Sequence, residues 1–279
     1  MPKIFISGAS GFIGRPLFAF LESQGHSVTA LTRTEEGSLE GVDAVIHLAG
    51  EPLSLTRWTK AKRDKILYSR TLGTASLVAR LAKHPPKVFI SASAVGFYGD
   101  RGEEILTEES LGGHGFLADV CAQWEKASLP LKQWGARLVH ARFGIVLGPH
   151  GGVVQKLLLP YQLGLGGWLG SGKQWISWIH LDDLIQALSF LLEHPLSGPI
   201  NLVSPHPVRQ QDFALTIAGL LHRPHWMRLP AWVLRALLGQ AADELLLAST
   251  RVQPAKLLAA NFPFQYADLR SAMYNALQI

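Results

Sequence analysis

The chain has 279 residues, 48% of them hydrophobic, and a formal net charge of +5 from 26 lysine and arginine residues against 21 aspartate and glutamate residues. This length suits one large domain or two smaller ones, and it buries a substantial core without cross-links. The single cysteine, Cys121, excludes an internal disulfide framework. The basic residues are scattered except for one run at 60–65, which lacks interleaved aromatic residues, so the charge does not favour nucleic-acid binding.

The sequence predicts neither a secretory signal peptide nor a membrane span. Lys3 is the one charge before Gly8, and the short apolar stretch after it runs into glycines instead of extending. No apolar run reaches the roughly 20 residues that a membrane-spanning helix needs. We therefore expect a soluble, cytoplasmic protein whose partner is a small molecule, not nucleic acid or a membrane.

Short apolar stretches alternate with helix-period segments along the first half of the chain. Near-continuous apolar strands in such an alternation are typical of an α/β fold, a doubly wound parallel sheet covered on both faces. We predict strands at 3–7, 27–32, 43–49, 87–92 and 136–143, and helices at 12–24, 58–84 and 116–134.

Beyond residue 150 the pattern changes. Glycines are dense at 151–152 and 164–172, and prolines recur between 205 and 230. The pattern after residue 150 predicts a smaller region that covers the first domain and shares strands with that domain. We predict helices at 182–193, 211–222 and 231–238 and a strand at 200–203.

Three glycines follow the first predicted strand in the spacing Gly8-x-x-Gly11-x-x-Gly14. A strand that turns sharply into a helix presents unpaired N–H groups and the positive end of the helix dipole to an anion. The first glycine permits the turn, the second lets a pyrophosphate approach, and the third lets helix pack on strand. Ser10 adds a hydroxyl beside the same anion. The context of strand, helix and second strand favours a dinucleotide site over an ordinary flexible turn.

The end of the second predicted strand selects the dinucleotide. An acidic residue there binds the ribose hydroxyls of NAD, whereas this chain has Thr32 and Arg33. A guanidinium suits the 2′-phosphate of NADP through a charge-assisted contact. The alternative is an arginine that faces water, and Glu35 and Glu36 follow closely. We predict a preference for NADP(H).

Several segments together resemble a known family. GASGFIG, DAVIHLAG, SASAVGFYGD, ARFGIVLGPHGG and WIHLDDL follow the order of markers in extended short-chain dehydrogenase/reductases. HLAGEPLSLTRWT, YSRT, FLADVCAQWE, LGLGGWLGSGKQWISWIH and LLHRPHWMRLPAWVLRALLG resemble an atypical branch, the epimerase family proteins. The resemblance spans the whole chain. It implies a Rossmann domain at 1–150, with a contribution from 175–203, and a smaller, mainly helical substrate-side part at 151–174 and 204–279.

The resemblance also implies an NADP(H) site. The phosphate end is formed by Gly8, Ser10, Gly11, Phe12, Ile13 and Gly14, and the 2′-phosphate is held by Thr32 and Arg33. Leu48, Ala49, Gly50 and Glu51 lie along the adenosine and ribose, and Arg70 reaches back to the cofactor from its helix. Ser93 lies beside the nicotinamide, with Gly144, Ile145 and Val146 near its carboxamide. No metal site is expected, and a homodimer formed through helix pairs stays open.

One departure from the family pattern is a short connection at 34–42, where relatives carry a longer stretch with an extra strand. It implies a more open adenine pocket. A second departure concerns the Tyr-x-x-x-Lys pair, in which the lysine lowers the pKa of a proton-transferring tyrosine. Here Cys121 stands at the tyrosine position and Glu125 at the lysine position, and the atypical branch shares this substitution.

Three interpretations of the missing pair stay open. Cys121 would be a poor acid or base, because a neighbouring carboxylate raises its pKa, and it could simply pack in the interior. Ser93 or Tyr98 could transfer the proton instead, although Tyr98 could equally be an aromatic lining of the pocket. His180 is another candidate, with loop orientation as its alternative role. The third interpretation is a protein that binds NADP without turnover.

The substrate side is predicted from aromatic residues. Trp124 and Trp178, with Cys121 and His180, are the substrate-side candidates, and Trp58, Trp168 and Trp175 fall in segments that should converge on the cleft. Aromatic residues there favour a flat or apolar ligand, and core packing is the alternative. The glycine-rich stretch 163–172 is either a mobile lid or a tight turn. Two functions follow: an NADP(H)-dependent oxidoreductase or epimerase-like enzyme, or a non-catalytic NADP-binding regulatory or redox-sensing protein.

Overall fold

A computed structural model describes residues 2–31 and 39–279. Its strands are β1 (Lys3–Ser7), β2 (Ser27–Leu31), β3 (Ala44–His47), β4 (Val88–Ala94), β5 (Ile105–Leu106), β6 (Arg137–Phe143), β7 (Ile145–Leu147), β8 (Gly167–Leu169), β9 (Trp175–Ile176), β10 (Trp178–His180), β11 (Gly198–Leu202), β12 (Val208–Arg209), β13 (Met227–Leu229) and β14 (Arg251–Val252). Its α-helices are α1 (Gly14–Ser23), α2 (Lys60–Leu81), α3 (Phe116–Ala127), α4 (Pro130–Gln133), α5 (Gly152–Gln162), α6 (Leu181–Glu193), α7 (Gln210–Leu220), α8 (Ala231–Leu238), α9 (Gln240–Ala242), α10 (Ala255–Ala259) and α11 (Leu269–Leu277). A 3₁₀ turn spans Val95–Tyr98 and a π-helical turn spans Asp243–Leu247.

Six parallel strands of the described residues form the central sheet, in the order β11, β6, β4, β3, β1, β2. The chain passes from β1 to β2 on one side and then returns to build the other side from β3 onward. Ligands of such open sheets bind at the carboxyl ends of the strands where this reversal occurs, here beside β1 and β3. The predicted doubly wound α/β fold is confirmed.

Alternating side chains of β1 serve both faces of the sheet. Ile4 and Ile6 pack in one cluster with Leu17 of α1 and Leu184 of α6. Phe5 points to the opposite cluster, which also contains Leu77 and Leu81 of α2. Each fully buried side chain of this size contributes about 1.5–3 kcal/mol. These two clusters fix α1 over one face and α2 over the other, and so fix the turn between β1 and α1.

The predicted helix at 116–134 is divided in the structure, where α3 ends at Ala127 and α4 begins at Pro130. Proline lacks the N–H that would continue the ladder and its ring clashes with the preceding turn, so Pro130 starts a new helix. The predicted strand at 3–7 and the predicted helix at 231–238 have the observed bounds.

The later part of the chain contributes strands to several two-stranded sheets that are separate from the central sheet. β8 pairs in parallel with β13, β9 pairs antiparallel with β12, and β14 pairs with β5. A separate cluster packs around Trp178, Phe213 and Met273. β11 lies at the edge of the central sheet beside β6. The boundaries between the two parts of the chain stay a prediction.

Within residues 2–31 and 39–279, no helix combines the length and apolarity needed to cross a bilayer. The same residues hold no grouping of three or more histidine, cysteine, aspartate or glutamate side chains arranged to hold a metal ion.

Candidate functional site

The turn between β1 and α1 leaves no room for a side chain at Gly8 or Gly14. Gly8 has a φ of +76°, and a Cβ on it would lie 3.0 Å from the backbone nitrogen of Ala49. A Cβ on Gly14 would lie 2.1 Å from the carbonyl oxygen of Gly8, to which the Gly11 N–H donates at 3.0 Å. No side chain caps α1. The Arg15 N–H donates to the Gly11 carbonyl at 3.1 Å and Pro16 has no N–H, so the backbone available to a ligand is that of the turn up to Gly14, which fits the diphosphate of a dinucleotide.

A cavity of about 750 Å³ begins at this turn and crosses the carboxyl ends of the strands into the later part of the chain. Many predicted site residues line it: Gly8, Gly11, Phe12, Ile13, Gly14, Leu48, Gly50, Arg70, Ser93, Cys121, Trp124, Gly144, Ile145 and Val146. Other predicted residues are not among its lining residues: Ser10, Ala49, Glu51, Tyr98, Trp178 and His180. Thr32, Arg33 and positions 34–38 of the short connection lie outside the described residues.

Arg70 projects from α2 to the wall of the cavity. Its Nη1 donates to the carbonyl oxygen of Glu51 at 3.0 Å, and its guanidinium lies over the ring of Trp124, 5.0 Å from the ring centre. A Cβ on Gly50 would lie 3.4 Å from its guanidinium carbon. The carboxylate of Glu51 instead accepts a hydrogen bond from Lys62 at 2.7 Å, and this contact lowers the pKa of Glu51. Arg70 therefore places a cation beside Gly50, and the carboxylate of Glu51 is engaged with Lys62.

Ser93 ends the buried part of β4 at the cavity, and a carboxylate lies behind it. The Ser93 hydroxyl donates to Oε1 of Glu125 at 2.8 Å. Arg142 donates to the same carboxylate twice, from Nε to Oε1 and from Nη2 to Oε2, each at 2.8 Å. Each of the three residues is at least nine-tenths buried. Charge-assisted bonds in this forked geometry fix the carboxylate behind the serine.

Tyr98 lies beneath the cavity. Its hydroxyl accepts a hydrogen bond from Nη1 of Arg142 at 3.0 Å, and its one proton is within reach of Oδ1 of Asn201 at 2.7 Å and of the Thr107 carbonyl at 2.9 Å. Burial raises its pKa, although the charge of Arg142 opposes the rise. The 3₁₀ turn after β4 directs this side chain into the interior. The structure therefore brings Ser93, but not Tyr98, to the cavity wall.

Cys121 and Glu125 stand one turn apart on the buried face of α3. Burial raises the pKa of the Cys121 thiol to about 11, and the charge of Glu125 adds to the rise, in the direction that the sequence predicts. The thiol therefore keeps its proton at neutral pH.

His180 and Trp178 have structural roles, because both make contacts within the protein and neither lines the cavity. Nδ1 of His180 accepts a hydrogen bond from the Asp182 N–H at 3.2 Å and caps α6, and its ring lies against Tyr266 with 3.9 Å between the ring centres. Burial lowers the pKa of His180. Trp178 packs in the later cluster, and its Nε1 donates to the His206 carbonyl at 3.1 Å.

The sequence did not point to Glu244, which lies on the π-helical turn and lines the cavity. Its two carboxylate oxygens accept hydrogen bonds from the N–H groups of Phe116 at 2.7 Å and Leu117 at 3.1 Å. A carboxylate in this position satisfies unpaired donors and interacts favourably with the dipole of α3. A signal was available at the other end of this contact, because Gly115 gives α3 no side-chain cap of its own.

The glycine-rich stretch at 163–172 contributes Leu165, Trp168 and Leu169 to the cavity wall. Part of it is β8, which pairs with β13. Trp175 also lines the cavity, as the convergence of the aromatic segments predicts. The cavity thus has a glycine-built end and an end built from the later part of the chain.

Comparison with known proteins identifies the family to which this chain belongs. Residues 4–203 match the model described as the NAD dependent epimerase/dehydratase family. The chain belongs to this family. Residues 229–276 match a second model, described as a domain of unknown function. An epimerase family protein of Mycobacterium bovis is 38% identical over 97% of this chain and 96% of its own length. The family resemblance seen in the sequence is confirmed.

Two solved structures are similar over nearly the whole chain. The human epimerase family protein SDR39U1, crystallised with NADPH, aligns with a TM-score of 0.92 and 31% identity over 99% of this chain and 100% of its own. A nucleoside-diphosphate sugar epimerase from Corynebacterium glutamicum aligns with a TM-score of 0.82 and 36% identity over 99% of this chain and 58% of its own.

Proposed function

We propose that this protein binds NADP(H) at the glycine turn and acts as an NADP(H)-dependent oxidoreductase or epimerase-like enzyme on a small molecule. The observation that carries the proposal is one continuous cavity that joins the glycine turn to Ser93. The human relative crystallised with NADPH aligns over 99% of this chain and supports the choice of cofactor.

The chain's own groups suit each part of the dinucleotide. The N–H groups of the turn that leads into α1 bind the diphosphate, because the missing Cβ of Gly11 lets it approach the backbone, while the missing Cβ of Gly14 lets the helix lie against Gly8. Leu48, Gly50 and Arg70 flank the adenosine half, and the loop 144–146 borders the nicotinamide half. Thr32 and Arg33 take the 2′-phosphate, as the sequence predicts.

The bound nicotinamide supplies or accepts the hydride. The chain supplies the route for the proton. In alcohol oxidation the substrate hydroxyl passes its proton to Oγ of Ser93, while Ser93 passes its own proton to Oε1 of Glu125, 2.8 Å away. Reduction runs the same transfers in reverse. We assign this role to neither Cys121 nor Tyr98, because burial raises the pKa of the Cys121 thiol to about 11 and the Tyr98 hydroxyl is hydrogen bonded within the protein.

Calorimetric titration tests the cofactor. We expect NADPH to bind more tightly than NADH, and we expect Arg33→Ala to reduce this preference about tenfold because it removes a charge-assisted contact. Arg270→Ala, on the exposed side of α11, is the matched control and leaves both affinities unchanged. Tighter binding of NADH, or binding of neither nucleotide, would overturn the proposal.

Turnover tests the chemistry. NADPH oxidation in the presence of a panel of carbonyl compounds should fall about 10²–10⁴-fold in Ser93→Ala and in Glu125→Gln, with NADPH affinity retained. Ser91→Ala is the control, since Ser91 is buried two residues earlier in β4 and does not line the cavity. Full turnover in Ser93→Ala would exclude the serine route.

A second candidate function is a regulatory or redox-sensing protein that binds NADP without turnover. The observation that favours it is that the candidate proton donors are held by the protein: Ser93 donates to Glu125, Tyr98 can donate to Asn201, and burial raises the pKa of the Cys121 thiol. Tight NADPH binding with no turnover against a broad carbonyl panel is the outcome that this candidate expects.

A further inference from the structure

The end of the cavity remote from the glycine turn is formed by the later part of the chain, and we call it the distal half. Its walls are the β8 and β13 pair, β9 and residues 244–250. The side chains that these elements present are predominantly apolar and large: Trp168, Leu169, Trp175, Met227, Leu229 and Leu246. Pockets with such walls derive most of their affinity from burial of apolar surface.

Several polar groups of the distal half are already engaged by the protein. Oε1 of Gln210 accepts the Leu169 N–H at 2.9 Å, and the Ser177 hydroxyl donates to the Thr250 carbonyl at 2.7 Å. Both carboxylate oxygens of Glu244 cap α3. The first two N–H groups of α7 donate to the carbonyls of residues 174 and 172. A ligand with many hydroxyl groups would find few free partners here and would lose its hydration without replacement.

Positive charge is also missing from the distal half. A nucleotide sugar carries a diphosphate, which proteins bind with arginine, lysine or a free helix N-terminus. Among the described residues that line the cavity, Arg70 is the one lysine or arginine, and it lies at the glycine-built end. Three other arginines lie over tryptophan rings without lining the cavity: Arg228 over Trp168, and Arg209 and Arg251 over Trp175.

We infer that the substrate is an uncharged carbonyl compound or alcohol with an apolar aryl or alkyl body, and not a nucleotide sugar. The inference rests on the proposed function, because it identifies the molecule whose oxygen meets Ser93. The name of the relative from Corynebacterium glutamicum specifies a nucleoside-diphosphate sugar, so the two substrate classes make opposite demands on the distal half. The apolar walls of the distal half, with no lysine or arginine among the described residues that line it, suit an uncharged apolar compound better than a nucleotide sugar.

Fluorescence titration with the neutral aryl ketone prodan tests the inference in the free protein and in the presence of saturating NADPH. We expect saturable binding with a blue-shifted emission and no displacement by UDP-glucose. Leu229→Asn should weaken binding about tenfold, since it places an amide on an apolar wall. Leu237→Asn is the matched control, because Leu237 is 63% exposed on α8 and does not line the cavity.

A second measurement needs no variant. Methyl ketones of increasing chain length should gain about three- to fourfold in kcat/KM, or in affinity measured by prodan displacement, for each added methylene group. Displacement of prodan by UDP-glucose, or affinities that do not rise with chain length, would overturn the inference. Failure of NADPH to bind would instead refute the proposed function, and prodan titration of the free protein would still decide which chemistry the distal half accepts.

Discussion

Arg142 on β6 holds the carboxylate of Glu125 on α3 through two parallel hydrogen bonds of 2.8 Å in the interior of the protein. A carboxylate here needs a cation, and the neighbouring strand provides it. The buried carboxylate on α3 is therefore balanced by an arginine that comes from the central sheet.

Breaking this pair should be costly. Arg142→Met leaves the carboxylate of Glu125 buried without its partner, so we expect the free energy of unfolding to fall by about 3–5 kcal/mol. Urea denaturation measures the change. The double variant Arg142→Met with Glu125→Gln should recover part of the loss, because it removes the unpaired charge. Equal losses in the single and the double variant would contradict the pairing.

Tyr98→Phe separates a structural role from a chemical one. The substitution removes a hydroxyl that accepts from Arg142 and can donate to Asn201, so we expect a loss of about 1–3 kcal/mol in unfolding free energy. Because the hydroxyl lies beneath the cavity, kcat should stay within about twofold of the wild type. A large fall in kcat with unchanged stability would restore Tyr98 as the proton donor.

The Cys121 thiol should resist alkylation in the native protein. With a pKa of about 11, roughly one thiol in a thousand is ionised at pH 8, and the side chain is buried. Iodoacetamide at pH 8 should label the protein only after urea unfolds it, as mass spectrometry would report. Rapid stoichiometric labelling of the folded protein, with the Cys121→Ser variant as the unlabelled control, would show that the thiol is exposed and activated.

Stability should fall in mild acid because of His47. Its ring is buried between Ser7 and Thr74, and burial lowers its pKa from 6.5 to about 4. Between these values the unfolded chain binds a proton that the folded chain does not, so stability is complete above about pH 6.5, declines as pH falls, and levels off below about 4. The total from this residue is about 3 kcal/mol.

Urea titrations at pH 7, 5.5 and 4.5 measure this dependence. His47→Gln should flatten it, whereas His222→Gln, an exposed site, should not. His140 and His180 also have pKa values lowered by burial and act in the same direction, so the slope in His47→Gln is reduced but not abolished. An unchanged slope in His47→Gln would show that this ring titrates normally.

The nucleotide end of the site was accessible from sequence because its determinants are local. The run from Lys3 to Gly14 contains the strand, the turn and the start of the helix. Each glycine leaves room for a close backbone contact, either within that run or with the residues that follow β3. Ser93 was predicted from the family resemblance, and in the structure it is the last buried residue of β4, near the carboxyl end of that strand.

The rest of the site depends on contacts between distant parts of the chain. Glu244 meets α3 from more than 120 positions away, and Met227 reaches the cavity because β13 pairs with β8. Neither contact produces a periodic pattern of residues in the sequence from which it could be predicted. Nearness along the chain did not predict the position of Tyr98. It follows Ser93 by five residues, but it lies at the end of the 3₁₀ turn and its side chain packs in the interior with Leu106.

The cap that Glu244 provides for α3 links the two family-matched segments of this protein. Residues 229–276 supply the acceptors that complete a helix inside residues 4–203. Deleting the later segment would therefore fray the first turn of the helix that carries Cys121 and Glu125. A chimaera that exchanges this segment with a relative would need to keep an acidic residue at the position of Glu244, so the two segments are constrained to change together.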